Sequence, residues 1–180
     1  MSLNLKNQKI PVEFLANLPE GLKVVNRKNI SYVVVEDIRC PHDHSLLSEE
    51  VKLHGEAAIT MRIRGGGSEG LVYLDPFWGL HAKLFDFMFK EADAKPLVHA
   101  FCPICDMSLM VPRQCPYPEC QTKDYIEFIL PDGKNKIFSC GQWGCPEHDM
   151  MVTNIPATIT KMMTSIQYPE LHSHGEAIGF

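Results

Sequence analysis

Seven cysteines, six of them in close pairs, constrain this chain more than any other feature. The pairs are Cys102/Cys105, Cys115/Cys120 and Cys140/Cys145, and each first cysteine is followed by Pro or Gly. A turn of that kind places two sulfurs side by side, the arrangement a tetrahedral metal ion takes up. The seventh, Cys40, lies in the stretch RCPHDHSLL (residues 39–47), which resembles FCPICDMSLM (residues 101–110) once one residue is dropped from the second. Both read Cys-Pro, then His or Cys, then Asp, any residue, Ser, Leu. His42 aligns with Cys105, and His44 is available as a substitute.

The repeat makes sense as two half-sites of one metal, one Cys-His and one Cys-Cys. Site A is therefore expected to use Cys40, His42 or His44, Cys102 and Cys105. The pairs Cys115/Cys120 and Cys140/Cys145 share a four-residue gap and flank a hairpin signal, which makes them site B. A rival partition places Cys102, Cys105, Cys115 and Cys120 on one ion. It leaves Cys40, Cys140, Cys145 and His148 (or His42) for the other. The same seven cysteines bind metal in both. The mixed Cys-His set favours zinc, and two zinc ions are expected; an all-Cys site B also suits iron. Four candidates per site favour closed, structural ions. The competing reading is a catalytic zinc with an open position, drawing on His42, His44, His54 and His81 with Glu56 and Asp75.

Two knuckle pairs with hairpin strands between them resemble the zinc-ribbon class, over residues 101–148 and, through the repeat, residues 40–47. A fainter similarity, carried by the early Cys/His phrase and by FCPICDMSL, is to the small zinc-bearing gamma subunit of acetone carboxylases. That resemblance implies an accessory subunit of a larger enzyme.

The remaining chain reads as strands with a few helices. GLKVVN and ISYVVVEDI, split by Arg27-Lys28-Asn29, predict a hairpin; Ala57–Arg64 and Leu71–Leu74 predict another around a Gly-rich tip; Tyr125–Leu130 and Lys136–Ser139 predict a third. Short helices are expected over 10–18 and 156–167, the latter capped by Asn154. A third is expected from Asp75-Pro76 through Glu91, with a wide apolar face of Leu80, Leu84, Phe85, Phe87, Met88 and Phe89. The predicted class is α+β, β-hairpin-rich, with zinc-ribbon knuckles and two to three short helices. An α+β portion is placed at residues 1–100, a zinc-ribbon portion at 101–150, and a helix and tail at 151–180.

Composition narrows the function. Lys and Arg total 17 against 22 Asp and Glu, a formal charge of -5, which argues against nucleic acid as a partner. No apolar run is long enough to span a membrane and no secretory signal is evident, so a reducing cytoplasm is expected. The run Arg62–Ser68 lacks a phosphate-loop ending and reads as a hairpin tip. The expected function is a zinc-binding accessory subunit or protein-interaction module with a protein partner. The alternatives are a zinc enzyme with an open site and a rubredoxin-like electron carrier.

Overall fold

The computed structural model describes residues 10–90, 96–145, 147–166 and 168. Among them are eleven strands and two helices of five and eight residues, so the chain is mainly β rather than α+β. The helices are α1 (Val12–Ala16) and α2 (Ala157–Thr164).

The three hairpins form where β-branched runs meet turn residues. Strands β1 (Leu22–Arg27) and β2 (Ile30–Val35) pair antiparallel as a separate ribbon. Lys28 and Asn29, at φ 48° and 64°, make its two-residue turn with the twist a hairpin needs. A second sheet has β4 (Glu56–Gly65) at its centre. On one side of it lies β5 (Ser68–Leu74), followed by β6 (Lys83–Phe85). The opposite edge of β4 is shared in succession by β3 (Leu47–Leu53) and β7 (His99–Phe101). A third sheet runs in the order β11 (His148–Met151), β10 (Lys136–Cys140), β9 (Asp124–Ile129), β8 (Met110–Pro112). One buried cluster extends from Ile10 to Ile166 and joins the inner faces of the last two sheets to α1 and α2.

The helix expected from Asp75 to Glu91 does not form over the described residues 75–90. The Asp-Pro signal instead opens a turn. Asp75 Oδ1 accepts the Phe77 amide at 3.0 Å, Oδ2 accepts the Ala82 amide at 3.3 Å, and Gly79 sits at φ 84°. That folded-back loop buries Phe77, Trp78 and Leu80 and returns the chain as β6 against β5. The apolar residues of this stretch are thus spent on a loop and an edge strand, which the 3.6-residue pattern cannot distinguish from a wide helix face. Residue 91 lies outside the described residues, as does the tail after Pro169.

The C-terminal helix starts after Pro156, not Asn154, and buries Met163 while Met162 stays 52% exposed. The Gly-rich run is the tip of the β4–β5 hairpin, with Gly66 and Gly67 at φ 55° and 70°. Arg64 there is paired with Glu69 and Asp106, so its charge is already answered within the chain.

Ile63, fully buried in β4 between β5 and β7, tests the central sheet. Ile63→Ala is expected to cost about 3 kcal/mol, read as a lower urea midpoint with the metal content unchanged.

Candidate metal centres

Two clusters of ligand atoms stand on this scaffold. Cys40, His44, Cys102 and Cys105 form one, Cys115, Cys120, Cys140 and Cys145 the other, and within each cluster all four ligand atoms lie within 4.8 Å of one another. All seven cysteines are free thiols. The partition is that of sites A and B, not the rival one.

Site A is made by two knuckles with the same backbone. The His42 amide donates to Cys40 Sγ at 3.3 Å, and the Ile104 amide donates to Cys102 Sγ at 3.4 Å. Asp43 and Asp106 both take a left-handed turn, at φ 66° and 58°. By hydrogen bonding, then, His42 corresponds to Ile104 and not to Cys105. The residue missing from the first copy is the second ligand itself. His44, beyond the turn, supplies it: its ring reaches back to place Nδ1 3.5 Å from Cys40 Sγ. His42 is exposed and stands outside the group of four. Its ring still acts on the site, helping to lower the Cys105 thiol.

Site B spans the loop between β8 and β9 and the end of β10. Cys115 and Cys145 sulfurs are 3.8 Å apart, Cys120 and Cys140 3.6 Å. The Gln142 amide donates to Cys140 Sγ at 3.5 Å. His148 lies on β11 against Trp78 and His81, outside the four.

The spacings can be tested against an ion. Zinc–sulfur bonds of about 2.3 Å and zinc–nitrogen bonds of about 2.0 Å, at tetrahedral angles, put two sulfurs about 3.8 Å apart and a sulfur and a nitrogen about 3.5 Å apart. Observed sulfur pairs are 3.6, 3.8 and 3.9 Å, and the Cys40–His44 contact is 3.5 Å. Each cluster therefore has room for one tetrahedral ion at its centre. A multi-iron cluster, whose cysteines bind different irons, needs a wider ring.

Electrostatics point the same way. At Cys105 burial opposes ionisation, but hydrogen bonds from the Met107 amide, His42, Cys102 and His44 outweigh it and bring the thiol down to about 6. At Cys120 burial is likewise outweighed, by the Thr122 hydroxyl and amide and by neighbouring thiols, giving about 7. The other members resist. Burial pushes Cys102 and Cys140 up and takes Cys145 to about 11. A first thiolate forms readily in each group, and a cation is needed before the others follow.

The open-site histidines are not gathered. His54 is hydrogen-bonded to Asp75, Nε2 to Oδ2 at 3.1 Å, and His81 faces His148. His54 and Asp75, both candidates for that open zinc, instead pair with each other across 21 residues. No helix among the described residues is long and apolar enough to cross a membrane. No protein family, curated protein or solved structure matches the chain.

His44→Ala is expected to remove one metal equivalent per chain while His42→Ala keeps both, measured by elemental analysis after gel filtration. Cys102→Ser should match His44→Ala in metal content.

Proposed function

We propose that the protein is a two-zinc, non-catalytic module that works as a small subunit of a larger assembly in a reducing compartment. The supporting observation is the match of both clusters to a closed tetrahedron of four protein ligands. A catalytic zinc keeps a position for water, and here four side chains per cluster would fill every position. The imidazole in site A supports zinc over iron, since it suits a borderline ion.

The metals would act on stability. Thiolates packed this closely repel one another, and an ion converts that repulsion into a bond across the fold. The accessory role draws support from apolar side chains left on the surface. Phe85 and Met88 are 50% and 80% exposed beside the rings of Phe87, Phe89 and Trp143, and Leu97 and Ile104 are exposed as well. A protein partner is the cover that suits such a surface. Seven reduced cysteines fit a cytoplasmic setting.

Elemental analysis of protein prepared without chelator should find two zinc per chain and no colour. Cobalt substitution should give tetrahedral spectra without enhanced relaxation of solvent water. Iron with a visible charge-transfer band would make electron transfer the function. A cobalt-bound exchangeable water would restore the enzyme reading.

A further inference from the structure

The repeated knuckle is one part of a longer correspondence. Leu46 N donates to Ile38 O at 2.9 Å, and Leu109 N to Ala100 O at 2.8 Å. Past each knuckle the chain pairs at once with the following long strand, Leu47 with Ile59 and Met110 with Ile126. The loops that close the halves also agree, although they share only Trp-Gly in sequence. Trp78 N donates to Val33 O, and Trp143 N to Pro96 O. The Leu80 and Cys145 amides each close a turn at 3.1 Å, onto Phe77 O and Gln142 O. Gly79 and Gly144 are both at φ 84°. Asp75 N donates to Ala82 O, and Cys140 N to Glu147 O, both at 3.0 Å.

The halves also exchange contacts. Arg39 of the first knuckle bridges to Ile129 on β9, while Phe101 of the second pairs with Arg62 on β4. Each knuckle leans on the other half's long strand, the reciprocity of a two-fold contact. Site A takes two ligands from each half and so sits where that axis passes.

Among the described residues site B has no metal counterpart in the first half, and the correspondence says what stands in its place. Cys140 maps onto Asp75 and Cys145 onto Leu80. The Cys140 sulfur accepts the amide two residues on, and Asp75 Oδ1 accepts the Phe77 amide in the same way. The loop holding Cys115 and Cys120 maps onto the two-residue turn His54-Gly55 between β3 and β4. From that turn His54 reaches Asp75.

We infer that the chain is two copies of one metal-binding unit folded about site A, and that the His54–Asp75 clasp occupies a latent third metal position, the first-half equivalent of site B. The clasp joins the same turn to the same strand end as the metal does in the second half. Two ligands are too few to hold an ion tetrahedrally, and Leu80 supplies none. Asp75 has a side chain 1% exposed and takes two amides besides His54, so it is satisfied as it stands.

The inference rests on reading site B as a metal site, and the tests keep the two separable. The first test is cobalt titration of the full chain with residues 54–55 replaced by the segment 114–122, together with Asp75→Cys and Leu80→Cys. Three equivalents with thiolate charge-transfer bands are expected, against two for the native chain. A folded graft that stops at two overturns the inference. A graft that does not fold with metal present also counts against it, because the same loop folds on the equivalent scaffold in the second half. The second test is Asp75→Asn, expected to keep two equivalents while lowering the melting temperature; loss of metal would make Asp75 a ligand and not a clasp. A native chain that binds no cobalt at Cys115, Cys120, Cys140 and Cys145 defeats the metal reading itself.

Discussion

Sulfur–sulfur repulsion at the seam between the two halves is the constraint on which this fold turns. Site A gathers three thiols and an imidazole from segments far apart in the chain. Without a cation, only part of that group can ionise, because each further thiolate sits in a buried site beside a negative neighbour. With a divalent ion at the centre the same atoms become a staple. Backbone pairing crosses the same seam, Arg39 of the first knuckle with Ile129 on β9 and Phe101 of the second with Arg62 on β4.

Around that seam the sheets are ordinary. Their inner faces supply buried Ile63, Val72, Ile126 and Phe128. A part-buried ion pair, Lys23 with Glu56, ties the β1–β2 ribbon to β4, and another joins Lys136 of β10 to Glu127 of β9. Apolar burial carries the sheets, and the two candidate metal clusters lie mainly in the turns between strands.

Several of these features were legible in the residues. Hairpins announce themselves when β-branched runs flank turn residues, so β1–β2, β4–β5 and β9–β10 were recoverable. The cysteine pairs were legible as metal knuckles, because few other uses explain Pro or Gly after each first cysteine. What could not be read was decided by backbone geometry. The letters offer His42 or His44 as the fourth ligand of site A, and only the backbone of the shorter first knuckle decides for His44. The loop 75–82 imitates a helix start, because Asp-Pro caps a helix and opens a turn with the same amide hydrogen bond to the Asp carboxylate. The α+β class fails at that point, since the expected helix from Asp75 is a loop and an edge strand, and the described residues hold eleven strands and two short helices. The likeness between Asp75–Ala82 and Cys140–Glu147 was hidden because only Trp-Gly is shared, while the hydrogen bonds coincide.

The reciprocal strand pairing about site A bears on the order in which the molecule assembles. Cys115 and Cys145 are 30 positions apart, Cys40 and Cys105 65. Doubling a loop adds only about 0.6 kcal/mol of closure entropy, too little to set the order by itself. The difference lies in what each ion must wait for. Site B draws on neighbouring segments and one hairpin, so it can load while the rest of the chain is still loose. Site A needs β4 and β9 already formed, because each anchors the knuckle of the opposite half. Metal capture at the seam would therefore be a late, closing step, and a chain short of its metal would stall with its second half built and its first half undocked.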